Sequence, residues 1–411
     1  MKKEIIQSIS DPEALEMLFR KDKNAFAVDF PAASAGKETD LVKFWQIRLK
    51  NETYSQPHQL VKTDIWIVAI ISIVIALLVK AHLIFRNMTM EDFWFRNLPV
   101  IIFSALTAWF VLKNRITGMK NILLVAIPVV LLSIFVNLLP EKLCDTTILV
   151  FIHAPIFMWF VFGCAWVSFK YNDTSKVSAF IRYNGELIIM YGLFCIAGAI
   201  LSGMTISLFT ITGMKIGKFY MENIAIVGVA VFPVVAVWLI DLYPDITSRI
   251  APLIARIFTP LVFISAIVYL VAISVSGIEL SKNRDFLIIF NLLLLGVTAI
   301  IVFSLSELDK SNIRKLNIIL LFLLVVVTLI IDLFALSAII SRLSEGFTPN
   351  RTVVLISNIL ILVNLLLILP GLFLAGFKEK PLDRIEKIII CYLPVYFIYS
   401  IVVIFVFPFI F

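Results

Sequence analysis

The sequence predicts an all-α polytopic membrane protein, a bundle of about eleven transmembrane helices behind a small helical N-terminal segment. The hydrophobic fraction is 61% and the charged fraction is only 15%, whereas soluble domains contain about half apolar and a quarter charged residues. The apolar residues form runs of about 20, the length that crosses a ~30 Å hydrocarbon layer as a helix. The alternating segments of about ten residues that are typical of a membrane β-barrel do not occur.

Residues 1–63 form the polar part of the chain and are predicted to be a soluble, cytoplasmic, helical segment. Asp11-Pro12-Glu13 has the pattern of a helix start, with an N-cap, a proline in the first turn and an acidic residue behind it. A second helix is predicted after Asp40, with apolar and basic residues on separate faces. This helix packs on the first helix or the membrane domain, lies in the lipid headgroup layer, or binds a separate partner.

The membrane domain, residues 64–411, contains eleven apolar runs. Every backbone amide in lipid needs an internal hydrogen-bond partner, so each run is predicted to be a helix. The runs are 64–85, 96–112, 121–139, 148–169, 187–211, 221–243, 257–278, 286–305, 316–339, 352–376 and 388–411.

Lysine and arginine are distributed unevenly between the two sets of loops. The loops on the N-terminal side of the membrane hold 15 basic residues and the loops on the opposite side hold 9. Basic residues concentrate in cytoplasmic loops, so the N-terminus is predicted to be cytoplasmic and the C-terminus outside. One cytoplasmic segment, 244–258, is predicted to be a basic amphipathic helix on the membrane surface, or alternatively an ordinary basic loop.

The net charge of +7 does not indicate a nucleic-acid partner, because the basic residues lie in short loops between apolar runs. Attraction to anionic membrane lipid explains them. The four cysteines share no CxxC spacing, so we predict no metal site and no disulfide framework. No catalytic signature and no cofactor motif occurs in the sequence, so we predict no catalytic residue and no cofactor, and an enzyme is the less favoured class of protein.

A polar segment before the tenth run, 341–351, is the most distinctive stretch outside the helices. Its characteristic residues are Arg342, Gly346, Phe347, Thr348 and Arg351. This segment resembles the motif of a family of bacterial multi-pass membrane proteins known as domain of unknown function 4153, and Thr259-Pro260-Leu261 resembles a proline step in an earlier helix of that family. The resemblance covers about residues 60–400 and implies a polytopic protein of the bacterial inner membrane, with no established activity. Glu345 stands where some members carry a tyrosine.

Two segments repeat one pattern: Ser or Thr, any residue, Asn, Arg, then an Asn seven residues after the Arg. Arg284 and Asn291 belong to the first copy, and Arg351 and Asn358 belong to the second, 67 residues later. The offset corresponds to two membrane crossings, so the pattern is that of a repeated helix pair, as in some transporters. Chance similarity between apolar sequences is the alternative.

Asp332 is the most informative single residue, because a carboxylate inside a membrane helix costs about 2.5–3.5 kcal/mol on insertion scales. Asn291, Asn358 and His153 are predicted at a similar depth below the outer surface. Four charged residues are predicted at the mouth of this polar layer: Arg284, Arg342, Glu345 and Arg351. We expect the Asp332 carboxylate to lie within reach of one of the arginines or of His153. The layer is either a functional polar cavity or a set of contacts that only packs the bundle.

Three function classes fit this pattern. The first is a transporter, permease or lipid flippase with an outward-facing polar cavity, whose partners are membrane lipid and a small solute or lipid-linked substrate. The second is a membrane enzyme acting on lipid-linked or envelope substrates from the outer face, in which His153, Asp332 and the arginines bind a phosphate or act as base. The third is a scaffold or sensor subunit whose N-terminal segment contacts a partner.

Overall fold

The protein is described by a computed structural model that covers residues 2–21, 23–37, 39–51, 62–83, 89–140, 144–211, 214–243, 258–271, 275, 284–306, 315–344 and 346–411. Within these ranges the chain is helical and contains no strand. The helices are α1 (Lys2–Gln7), α2 (Pro12–Lys21), α3 (Lys23–Ala33), α4 (Asp40–Asn51), α5 (Lys62–Val79), α6 (Met90–Lys113), α7 (Met119–Leu138), α8 (Asp145–Trp166), α9 (Thr174–Ile211), α10 (Gly217–Tyr220), α11 (Ile226–Leu242), α12 (Phe258–Val271), α13 (Arg284–Ser306), α14 (Lys315–Leu343), α15 (Pro349–Lys378), α16 (Asp383–Phe405) and α17 (Phe407–Ile410).

Nine of the described helical stretches are long and apolar enough to cross a membrane. One of them joins α10 to α11 through a π-helical turn, Met221–Ala225, and another extends α5 by a 3₁₀ turn, Lys80–Leu83. The two remaining predicted runs coincide with α12 and α13, which contain shorter apolar stretches. The predicted all-α fold class is thereby confirmed. The predicted surface helix at 244–258 lies outside the described residues except for Phe258.

The chain divides into two compact units, Met1–Trp66 with Asp241–Pro244, and Ile67–Ile240 with Asp245–Phe411. The first unit has its own aromatic core, in which the Phe19 and Trp45 rings lie 5.1 Å apart. Arg48 covers both rings and donates to Glu16 at 2.9 Å. Hydrogen bonds from Arg20 and Arg48 lower the pKa of Glu16 below its usual value.

Two helices of the first unit begin where the sequence predicts. Asp11 Oδ1 accepts the N–H of Glu13 at the start of α2, and Thr39 Oγ1 accepts the N–H of Val42 at the start of α4. The predicted amphipathic helix is α4, and the contact of its Trp45 with α2 confirms packing on the first predicted helix. The opposite face of α4 leaves apolar side chains exposed, including Phe44 and Ile47.

The second unit contains two large apolar cores. One core is built mainly by α5 to α9 and α11, and the other by α12 to α15 with the start of α16. α16 connects the two groups, because it packs against both α8 and α15. Leu149 of α8, Val353 of α15 and Val403 of α16 meet in a smaller cluster. This places the start of α8, the start of α15 and the end of α16 at one end of the bundle, here called the hairpin end.

Candidate functional site

α14 and α15 form an antiparallel hairpin whose turn is fixed by local hydrogen bonds. Thr348 Oγ1 accepts the N–H of Arg351 at 3.4 Å, and Pro349 lies in the first turn of α15, as the sequence predicts. Gly346, just before the cap, has a φ of 121°, a conformation that glycine adopts without a side-chain clash. The turn therefore brings the polar residues of α14 next to those of α15.

Asp332 lies within α14 with none of its surface exposed, at 0%. Its neighbours on the buried face of the helix are Thr328, Ile331 and Ala335, each of which is also buried. Neither carboxylate oxygen of Asp332 has a hydrogen-bond partner among the described residues. Burying a carboxylate that is neither paired nor hydrogen-bonded costs folding free energy. Such residues in membrane helices usually have a role other than packing.

Two asparagines of α15 flank the level at which Asp332 lies. The ring contact between Phe322 and Phe373, 5.9 Å between centroids, fixes the register of α14 against α15. In this antiparallel register, the level of Asp332 falls between Asn358 and Asn364. Both asparagines are buried, and the Asn358 Nδ2 and Asn364 Oδ1 atoms have no hydrogen-bond partner.

Three tyrosines of α16, Tyr392, Tyr396 and Tyr399, line the face that packs on α15, at the i, i+4, i+7 spacing of one helix face. Asn364 Nδ2 donates to the Tyr396 hydroxyl at 3.0 Å. The Asp332 carboxylate lies within electrostatic range of the same hydroxyl. We name Asp332, Asn364 and Tyr396 together the Asp332 cluster.

A second group of polar side chains lies closer to the hairpin end. The Tyr399 and Ser357 hydroxyls share a hydrogen bond of 2.8 Å, and Tyr399 also donates to the Val353 carbonyl at 2.8 Å. The His153 ring is edge-on to the Tyr399 ring, 5.6 Å between centroids. His153 Nδ1 lies 2.8 Å from the Leu149 carbonyl one turn earlier in α8.

Asn291, in α13, also has a buried side-chain oxygen without a hydrogen-bond partner. Asn291 and Asn358 hold equivalent positions in the two predicted repeat segments, so the two copies share this unsatisfied state. Residues 281–283 of the first copy lie outside the described ranges, and of Arg284 only the backbone, which begins α13, is described.

The described arginine contacts differ from the predicted pairing with Asp332. Arg351 Nη1 donates to the carbonyls of Arg342 and Gly346, at 2.8 and 2.9 Å. Arg351 therefore holds the C-terminal end of α14, where a cation is favoured by the helix dipole. Arg342 lies in the last turn of α14, half-buried, and Glu345 lies outside the described residues. Among the described residues, no hydrogen bond joins Asp332 to Arg342, Arg351 or His153. The Arg284 side chain lies outside the described residues, so the expected contact of Asp332 with Arg284 stays a prediction.

Arg96 is not among the predicted polar residues, and its side chain is 2% exposed near the start of α6. Its guanidinium donates to the carbonyls of Val136, Leu139 and Pro140 at the end of α7, at 2.7 to 3.0 Å. Its planar fork of donors suits several carbonyls at once. Arg96 thus does for α7 what Arg351 does for α14.

Asn364, Ser357 and the tyrosines of α16 are also absent from the predicted polar layer. Asn364 interrupts an apolar run, as Asn358 does, and the regular spacing of the tyrosines marks one face of their helix. Those two signals were present in the sequence, but neither shows which helix lies opposite.

The Asp332 cluster has more hydrogen-bond acceptors than donors. Among the described residues, Asp332 contributes two unsatisfied oxygens to the cluster and Asn364 contributes one. Such a site favours a ligand that brings positive charge or a donated proton. Among the described residues, no group of three or more His, Cys, Asp or Glu side chains is arranged to hold a metal ion.

The fold and the site together define a multi-pass helical membrane protein with a buried polar cluster in its interior. The chain matches no protein-family model, no curated protein and no solved structure.

Proposed function

We propose that this protein is a membrane transporter, a permease or lipid flippase, in which the Asp332 cluster is the polar site within the membrane. The observation that carries this proposal is the complete burial of the Asp332 carboxylate with both oxygens unsatisfied. A carboxylate kept only for packing would be paired, because pairing removes much of the cost of its burial. An unsatisfied carboxylate in the interior of a membrane bundle is typical of an ion or substrate pathway.

The arrangement of the helices also supports a transporter. The membrane helices pack as two groups with separate apolar cores, connected through α16 and through the contact of α9 with α13. Alternating access in many transporters consists of one group of helices moving against the other around a central site. The Asp332 cluster lies in the second group, on the side where α16 connects it to the first.

The location follows from the same proposal. The resemblance at 341–351 points to the bacterial inner membrane, and the loop charges point to a cytoplasmic N-terminus. The hairpin end then faces outward, and the polar groups from His153 to Asp332 lead inward from the outer surface. A small solute or a lipid-linked molecule is the substrate class that such a route admits.

The test is transport by the purified protein in proteoliposomes. Charge movement on a solid-supported membrane is recorded while amino acids, sugars and organic acids are supplied in turn, and a dithionite assay follows the flipping of fluorescent lipids. We expect one substrate class to give a signal that Asp332→Asn abolishes. Thr328→Val is the matched control, because Thr328 lies one turn away on the same buried face and bonds only the Leu324 carbonyl. A transport signal that is the same in wild type and Asp332→Asn contradicts the assigned site, and no signal from any class contradicts the function.

A sensor or scaffold role is the second candidate, and it draws on a different part of the chain. The first unit has an aromatic core of its own, which a simple tether would not need. The outer face of α4 exposes Phe44 and Ile47, and exposed apolar residues on a small unit are common at binding surfaces. Deletion of residues 2–51 separates the two candidates, because a transporter keeps its flux without this unit and a sensor loses its response.

A further inference from the structure

We infer that Asp332 carries a proton in the resting protein, and that this proton exchanges with the hairpin end of the bundle through the side chains of Tyr396, Tyr399, Ser357 and His153. The inference rests on the proposed transport function and names its coupling ion. It follows from three features of the structure: the unsatisfied carboxylate, the absence of a described cation facing it, and a row of hydroxyl groups leading away from it.

A proton would satisfy atoms of the Asp332 cluster that have no hydrogen-bond partner. Asp332 presents two buried oxygens that nothing donates to, and a charged carboxylate without donors is strongly disfavoured in an apolar interior. One proton removes the charge and turns one acceptor into a donor. The Tyr396 hydroxyl and the unsatisfied Asn364 Oδ1 are acceptors in the same cluster. Protonation therefore corrects the excess of acceptors without a further ligand.

In the described parts of the chain, no lysine or arginine is placed to neutralise Asp332 in place of a proton. On α14 the basic residues lie in the first and last turns, and on α15 Arg351 and Lys378 also lie at the two ends. Residues 291–306 of α13 contain no titratable side chain. From α16, the titratable group that faces Asp332 is the Tyr396 hydroxyl. Nothing described there stabilises a negative charge on Asp332 as a lysine or arginine would.

The route to the hairpin end is formed by groups that can accept one proton and release another. Tyr399 follows Tyr396 by one turn on the same face of α16, and its hydroxyl is hydrogen-bonded to Ser357 at 2.8 Å. The His153 ring lies against Tyr399 one step further on. No hydrogen bond joins Asp332 to Tyr396 in the described structure, so a rotation of the carboxyl group or an intervening water has to connect them before transfer. Tyr396 then accepts a proton on its oxygen and releases its own, so the hydroxyl groups return to their starting state. Asp332 is left as a carboxylate until a proton comes back along the same route.

Infrared spectroscopy of the full-length protein in lipid nanodiscs tests this inference without any transport substrate. A protonated carboxylic acid has a carbonyl stretching band distinct from that of a carboxylate, and transfer to D₂O shifts the band at the rate of proton exchange. We expect the band at neutral pH in wild type and in Thr328→Val, its loss in Asp332→Asn, and a displaced band in Asp332→Glu, which also checks that the site still folds.

The hydroxyl route is tested by the exchange rate of the same band. Tyr396→Phe and Tyr399→Phe should slow exchange by about tenfold or more, because positioned acid–base groups commonly speed proton transfer by a hundredfold or more. Tyr392→Phe is the matched control: Tyr392 lies on the same face of α16, but one turn on the other side of Tyr396, and it bonds the Leu360 carbonyl. Equal exchange rates in all three variants overturn the route.

Three results overturn the proton on Asp332. The first is a wild-type band that appears only in acid, the second is a neutral-pH band that survives in Asp332→Asn, and the third is a band that Na⁺ removes at constant pH, which assigns the site to Na⁺. If the protein shows the expected band but transports no substrate, the proton on Asp332 is supported and the proposed function is contradicted. The two failures are therefore distinguishable.

Discussion

At the scale of single residues, the polar groups in this membrane domain follow two different energetic rules. Arg96 and Arg351 donate to backbone carbonyls at helix ends, and these contacts stabilise the fold, although Arg96 Nε has no partner among the described residues. Asp332 and Asn358 have unsatisfied atoms in the interior, so their burial lowers stability. Groups of the second kind are the ones that a function must retain.

Replacing Asp332 by leucine should stabilise the protein. Leucine repeats the branched shape of aspartate and needs no hydrogen bond. It is also larger, so overpacking offsets part of the gain, and Asp332→Leu should raise the free energy of unfolding by about 1 kcal/mol. Thermal unfolding in detergent measures the change. Asn364→Leu is the control, because it removes the donor to Tyr396 and should be neutral or destabilising. A large destabilisation by Asp332→Leu would show that the carboxyl group has a structural partner.

Replacing Arg351 by lysine should destabilise the protein by about 1 kcal/mol, the typical value of a hydrogen bond to a charged group, reduced for partial exposure. Lysine carries a single ammonium on a flexible stem and reproduces the two-carbonyl contact poorly. Arg342→Lys is the matched control, since Arg342 takes part through its backbone carbonyl. Equal melting temperatures for the two variants would contradict the role of the Arg351 side chain in holding the end of α14.

At the scale of helices, the sequence predicts where helices form better than how they pack. The apolar runs locate the membrane helices because lipid permits few other structures, and local caps such as Thr348 are readable from a few residues. The partner of a buried group depends on helices far apart in the chain, so Asp332 was recognised while Tyr396, on a different helix, was not. The arginine that would pair with Asp332 is hard to predict for the same reason: depth in the membrane can be counted from the sequence, and the direction of a side chain cannot.

Close packing between α9 and α13 gives a prediction at this scale. A Cβ atom added at Gly185 would overlap the ring of Phe303 from α13, whereas at Gly192, two turns along the same helix, it would meet open space. Gly185→Ala should therefore cost about 1–3 kcal/mol through overpacking. Gly192→Ala should be neutral or slightly stabilising because alanine favours the helix. Thermal unfolding of both variants checks the contact, and a Gly185→Ala protein as stable as Gly192→Ala would show that α13 does not pack there.

At the scale of the whole molecule, the hairpin end collects the features that the proposed transport depends on. The start of α8, the α14–α15 turn and the end of α16 meet there, and the polar groups from His153 to Asp332 lead away from it. The sequence predicts which side of the membrane this end faces from the loop charges alone. Arg96 was counted among those charges and lies buried on helix carbonyls instead, which makes the difference between the two sides larger than the sequence indicates.

Cys144 provides a native probe of this orientation, because it is exposed immediately before α8 at the hairpin end. Hydrogen bonds with the Thr146 and Thr147 side chains lower the pKa of its thiol to about 7. The thiolate is the reactive form, so its reaction with a maleimide should reach half its maximal rate near pH 7, whereas an ordinary thiol, with a pKa of about 8.5, is still mostly protonated there. Thr146→Val should move this profile to higher pH.

The orientation itself is tested in intact cells with a membrane-impermeant maleimide, in a variant whose other three cysteines, at 164, 195 and 391, are alanine. Cys144 should be labelled from outside with the pH profile just described, because the low thiol pKa comes from contacts that persist in the folded protein.

A cysteine introduced at Lys170, which is exposed in the loop between α8 and α9, should react only after the membrane is permeabilised. The two positions flank a single membrane-length helix, so they must lie on opposite sides. Labelling at 170 and protection at 144 would show that the protein has the opposite orientation, with the proton route opening toward the cytoplasm. Labelling of both positions from outside would show that α8 does not cross the membrane.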